Sequence, residues 1–133
     1  MWAFDFNLGC SGYEYGLAVA NGLIVSRIAK NILLLTAETY NKHIHPKDKG
    51  NRTIFGDVVS ASLISIEGFA KIWEFVLGPD GSGYDRLIHK TGAMRHYQPM
   101  NDFREDENGT PLDGKAIFDF TSDVVPPMID VTL

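Results

Sequence analysis

A single thiol, Cys10, is present in 133 residues, and that scarcity excludes an internal disulfide framework, a Cys-x-x-Cys redox pair and any multi-cysteine zinc site. A reducing, cytoplasmic compartment follows as the default. Long apolar runs are missing as well, since none reaches the roughly 18 residues of a membrane-spanning helix. The start of the chain lacks the charged-then-apolar layout of a secretory signal. Basic residues are outnumbered, 12 Lys and Arg against 17 Asp and Glu for a net charge of −5, which argues against a general nucleic-acid binder. No internal repeat or low-complexity tract breaks the pattern. With 44% hydrophobic and 22% charged residues, the composition is that of one ordinary globular domain.

Polar ends are also absent. Trp2-Ala3-Phe4-Asp5-Phe6-Asn7 reads as a buried strand already under way, and Ile129-Asp130-Val131-Thr132-Leu133 stops inside an apolar stretch. Domains usually end in exposed polar residues, so the expectation is a piece cut from a longer protein.

What is present begins with periodicity. Tyr13, Leu17, Ala20, Leu23, Ile24 and Ile28 recur at helical spacing and predict a helix over 11–30, with Arg27 and Lys30 suited to its C-terminal end. Gly12, Gly16, Ala18, Ala20 and Gly22 make that helix thin. Each helical glycine costs about 1 kcal/mol relative to alanine, so their number implies close packing against neighbouring backbone. The continuous apolar run from Asn31 to Ala37 predicts a strand covered on both faces, and strand, helix, strand at this spacing is a parallel crossover unit. A polar, loop-like stretch follows from Glu38 to Thr53. Val58–Ile66 and Ala70–Leu77 read as further strands, with a turn cluster at 78–83. Tyr84–Lys90 reads as a strand or short helix, and Asn101–Gly114 as an exposed connection. Lys115–Val125 reads as a helix that Pro126-Pro127 must kink or end.

Chemistry concentrates at Asn7-Leu8-Gly9-Cys10-Ser11-Gly12-Tyr13. A chain that turns sharply into a helix leaves the first helical amides unpaired, and the positive end of the helix dipole favours a negative charge there. The thiolate is the reactive form of cysteine, and sites that lower a thiol pKa from about 8.5 make it usable near neutral pH. Two readings stand: a nucleophile, or a small buried hydrophobe. Lys42, His43, His45, Lys47, Lys49 and Arg52 surround one acid, Asp48. This basic patch suits a phosphate-bearing ligand or an acidic partner, or it is a solvated loop. His43 and His45 lack a third ligand for a metal. His89 and His96 read as structural or exposed, and Phe55 as core or as a pocket wall.

Four segments, Asn7–Tyr13, Leu33–Thr39, His45–Gly50 and Arg52–Asp57, occur in the order and spacing of the thiolase superfamily. Within it the chain resembles the 3-oxoacyl-[acyl-carrier-protein] synthase III family, strongly from about Phe4 to Ile66 and more weakly through Trp73–Gly81 and Asp123–Pro126. The resemblance implies an α/β fold, a partial thiolase-like layered structure with a mixed sheet and a buried nucleophile helix. Residues 1–68 would form the C-terminal part of the first thiolase-like half, and 69–133 the connection and start of the second. It further implies an acyltransferase of fatty-acid synthesis in which Cys10 takes an acyl group from acyl-coenzyme A and condenses it with malonyl-acyl carrier protein. Phe55 and Tyr40 would line the acyl pocket. Lys49 would stand where relatives carry an arginine near the adenine of coenzyme A, without that arginine's planar stacking. The expected partners are acyl-coenzyme A, malonyl-acyl carrier protein and a second subunit in a homodimer. Coenzyme A would be a substrate, with no cofactor or metal.

Two departures accompany the match. Val58 follows Gly56-Asp57 where many relatives have glycine or alanine, and the family's C-terminal histidine and asparagine motifs do not occur. The chain alone is therefore expected to be inactive. Alternatives are another condensing enzyme of the superfamily, resembling 3-hydroxy-3-methylglutaryl-coenzyme A synthase or a polyketide or saccharide-pathway member, and a non-catalytic carrier-protein binding domain.

Overall fold

The structure is a computed structural model that describes residues 2–44, 46, 49–88 and 113–132. Helix α1 spans Gly12–Val25, strand β1 Asn31–Thr39, helix α2 Lys49–Ile54, strand β2 Asp57–Ser65 and helix α3 Gly114–Thr132, with a 3-10 turn over Tyr40–His43. They fall into two compact units, residues 1–38 with 57–77, and residues 39–56 with 78–133. The readings made for His45, Lys47, Asp48, His89, His96 and the 101–112 stretch lie outside the described residues.

In the first unit β1 and β2 pair in a two-stranded antiparallel sheet. The hydroxyls of Thr36 and Ser60 bond across it at 2.8 Å, and alternation along the strands puts Leu34 and Ser62 on the same face. Helix α1 lies on that face. Its buried stripe is Gly12, Gly16 and Ala20, one residue per turn of the helix. A Cβ at Gly16 would sit 2.9 Å from Leu34 Cδ1 and 3.3 Å from Phe6 Cζ, whereas one at Gly22 would meet open space. Close approach therefore explains Gly16 and does not explain Gly22.

Several expectations are corrected here. The helix ends at Val25 rather than Lys30, because Arg27 takes a left-handed backbone, φ 60°. The amide of Ile28 donates to Leu23 O at 3.0 Å and that of Arg27 to Ile24 O at 2.9 Å. This is a Schellman closure with arginine where glycine is the usual occupant. Arg27→Gly is expected to raise stability by up to about 1 kcal/mol, the left-handed penalty of a side-chain-bearing residue. A urea midpoint that stays put or falls would contradict that. Among the described residues strand β1 is covered on one face only: Leu33 and Leu35 are 61% and 59% exposed, since α1 lies on the other side. Trp2–Asn7 and Ala70–Leu77 form no strands, because neither run finds a ladder partner among the described residues. The expected parallel crossover thus lacks its leading strand.

In the second unit Ile44 and Asn51 are buried, around the 3-10 turn and α2. Arg86 and Asp113 join the start of α3 to the turn at 81–86. The Asp113 amide donates to Arg86 O at 3.0 Å, and Arg86 Nη1 donates to Asp113 Oδ2 at 3.2 Å. Asp113 Oδ1 accepts the Ala116 amide at 3.0 Å, which makes it the N-cap of α3. That amide bond, helped by Arg86, holds the Asp113 carboxyl below its ordinary range. A carboxylate with a depressed folded-state pKa stabilises above its unfolded value and loses that contribution as pH falls through the folded one. Helical circular dichroism from α3 should therefore decline as pH drops below about 4. Asp113→Asn, which caps without titrating, should flatten that decline.

Of the two outcomes expected at Pro126-Pro127, a kink or an end, the end is overturned, since α3 runs through both prolines to Thr132. The fixed proline φ is itself helical. Two amide donors are lost, yet the surrounding turns keep the helix continuous. At 84–88 the chain makes a turn and an isolated bridge at Leu87, in place of the expected strand or helix.

Candidate active site

Cys10 stands at the corner of a tight turn. The Gly12 amide donates to Gly9 O at 2.8 Å, so Cys10 and Ser11 occupy the two central positions of a β-turn that runs directly into α1. Gly12 is buried, and a Cβ there would make an ordinary 3.8 Å contact with Leu8 Cβ. The Cys10 side chain is exposed. Exposure removes the reading of Cys10 as a small buried hydrophobe and leaves a thiol open to solvent at a helix entrance.

Ser11 is the N-cap of α1 but makes no side-chain capping bond. With the Gly12 amide taken by Gly9 O, the uncapped first turn leaves the Tyr13 and Glu14 amides to face an oxygen or sulfur anion at the turn. From the first turn, Tyr13 Oη reaches β2 and shares a hydrogen bond with Ser62 Oγ at 3.2 Å. Neither member of this pair was assigned a role from sequence, where Tyr13 counted as a helix-face residue and as the last residue of the Asn7–Tyr13 segment. The signal lay in β2, whose alternation puts serines at 60 and 62 on the helix-facing side among valine, leucine and isoleucine.

The other candidates belong to the second unit. The structure brings Tyr40 and Phe55 together, with ring centroids 4.6 Å apart and planes inclined by 52°, a tilted aromatic pair. Tyr40 opens the 3-10 turn and Phe55 follows α2, so the chain between them folds back to close the pair. Both are half-buried. Lys49 begins α2 and is exposed, as are Lys42 and Arg52, so this part of the basic patch faces solvent. Among the described residues, no three His, Cys, Asp or Glu side chains gather as metal ligands. No helix among them is long and apolar enough to cross a membrane.

Comparison with known proteins places this geometry. A family model described as 3-oxoacyl-[acyl-carrier-protein (ACP)] synthase III matches residues 4–81. A beta-ketoacyl-[acyl-carrier-protein] synthase III of Clostridium perfringens is 35% identical over 130 residues, covering 96% of this chain and 40% of the relative. A crystal structure of a 3-oxoacyl-(acyl-carrier-protein) synthase III superposes with a TM-score of 0.80 at 40% identity, over 95% of this chain and 41% of the other. The corresponding synthase of Burkholderia xenovorans gives 0.73 at 34% identity, over 97% of this chain and 38% of the other. The chain spans about two-fifths of the length of these relatives.

Proposed function

This chain belongs to the 3-oxoacyl-[acyl-carrier-protein] synthase III family, and we propose that it carries the acyl-accepting site of such a condensing enzyme, with Cys10 as the nucleophile. The observation that carries the reading is the exposed Cys10 thiol at the turn into α1. In the loading step, the Cys10 thiolate attacks the carbonyl carbon of an acyl-coenzyme A thioester. The tetrahedral oxyanion draws on the Cys10 backbone amide and the positive end of α1. It collapses to the acyl-enzyme as coenzyme A leaves and takes a proton.

In the condensing step, malonyl-acyl carrier protein loses carbon dioxide. Its carbanion attacks the acyl-enzyme carbonyl, giving 3-oxoacyl-acyl carrier protein and returning the Cys10 thiolate. Coenzyme A is a substrate here, and no cofactor enters either step. The family's histidine and asparagine motifs support decarboxylation, and the 133 residues lack both. The chain by itself should therefore fail to condense. Residues 1–68 correspond on this reading to the C-terminal part of the first thiolase-like half, and 69–133 to the connection and the start of the second.

The family resemblance assigns Phe55 and Tyr40, whose rings meet, to the acyl pocket. Exposed Lys49 offers its charge to the adenine-bearing end of coenzyme A. A homodimer in the cytoplasm is the expected state of the whole enzyme. The test is peptide mass spectrometry of full-length protein after incubation with acetyl-coenzyme A. An acetyl group on the Cys10 peptide is expected, and a peptide that gains none overturns the reading for that primer.

A further inference from the structure

We infer that Tyr13 is a positioning residue for Cys10, acting through its hydrogen bond to Ser62. The inference rests on the reading of Cys10 as the acyl acceptor. Cys10 lies outside the helix, at the corner of the Gly9–Gly12 turn, so its placement depends on how firmly the first turn of α1 is held to the sheet. The stripe of Gly12, Gly16 and Ala20 holds the helix at short range, but residues without long side chains provide little to fix its rotation and sliding. Tyr13 supplies that fixation. It stands three residues after Cys10, close to one helical turn, and its Oη meets Ser62 Oγ at 3.2 Å.

The partner residue carries the same message. Serine is a poor choice for a strand, where β-branched and aromatic residues fit best. Each helix-facing serine of β2 nevertheless has a hydroxyl partner: Ser60 meets Thr36 at 2.8 Å, and Ser62 meets Tyr13 at 3.2 Å. The first bond ties strand to strand. The second ties strand to helix, at a residue three positions after the nucleophile. Loss of the second bond frees the first turn to shift. A displacement of 1 Å at a reacting atom can cost on the order of 100-fold in rate, so a partial shift should cost about tenfold.

The experiment measures single-turnover acetyl transfer from acetyl-coenzyme A to Cys10 in full-length protein. Tyr13→Phe and Ser62→Ala should each slow loading about tenfold while the half-saturating acetyl-coenzyme A concentration stays at the wild-type value. The double variant should be no slower than the slower single one, because one bond is lost in all three. Ser62→Thr, which keeps the hydroxyl, should restore the rate. Thr36→Val removes the other hydroxyl pair of the same sheet and should leave loading unchanged.

Single variants that load at the wild-type rate, effects that multiply in the double variant, or an equal loss in Thr36→Val would each overturn the tether. Alkylation of Cys10 by iodoacetamide in the same set reads the position of the thiol without acyl transfer. A wild-type protein that takes up no acetyl group therefore counts against the proposed function alone. Alkylation rates altered in Tyr13→Phe and Ser62→Ala alike would still support the tether, and rates identical to wild type would overturn it.

Discussion

Full-length protein carrying Cys10→Ala is expected to take up no acetyl group from acetyl-coenzyme A, a loss on the order of 10,000-fold or more in loading rate. Alanine removes the only atom that forms the acyl-enzyme bond and leaves the backbone turn intact. The Gly12 amide still reaches Gly9 O, the bond that shapes the corner at 2.8 Å, and a Cβ at position 10 is already accommodated. Binding of acyl-coenzyme A should accordingly survive, since the proposed contacts of Phe55, Tyr40 and Lys49 lie elsewhere in the chain. Cys10→Ser should load only marginally faster than alanine, because a hydroxyl is not ionised near neutral pH and needs an adjacent base to act. Intact-mass measurement of loading, beside a binding measurement with acyl-coenzyme A, separates these effects. Acetyl uptake by Cys10→Ala at the wild-type rate would place the acceptor on another residue.

Gly16→Leu is expected to prevent stable folding, at a cost of about 3 kcal/mol or more. A Cβ at this position would stand 2.9 and 3.1 Å from the two terminal carbons of Leu34 and 3.3 Å from the ring of Phe6. The isopropyl group that leucine adds beyond Cβ must displace α1 from the sheet. Gly16→Ala is the informative intermediate. It gains helix propensity of about 1 kcal/mol, but Leu34 must rotate away, so little net change is expected. Gly22→Ala meets nothing within 4 Å and should stabilise by about 0.5–1 kcal/mol. Urea midpoints of the three variants rank the effects. A Gly16→Leu protein as stable as wild type would show that α1 does not lie against Leu34.

Much of the site was legible before the fold was described. The Gly9–Gly12 turn, the helix after it and the strands near 31–39 and 57–65 are local features, set by glycine, helical periodicity and β-branched content. The boundary of α1 was less legible, because Arg27 offers no signal for a left-handed residue. The helix did not end at Pro126-Pro127, because the loss of one amide donor per proline is offset by the turns on either side. The Tyr40–Phe55 contact was invisible in spacing alone, since a 3-10 turn and α2 intervene and their path decides whether the rings meet.

By itself the sequence determined the family, the identity of the candidate nucleophile and its place at the entrance of a helix rich in small residues. Those properties reside in residue order and in backbone preferences a few residues long. Only the tertiary structure decided that the Cys10 thiol is exposed, that Gly16 but not Gly22 faces close packing, that one face of β1 stays open and that Tyr13 bonds to Ser62. The physical reason is common to all four. Burial, crowding and a hydrogen bond between residues 49 positions apart are properties of what lies across from a side chain, and local sequence does not specify that neighbour.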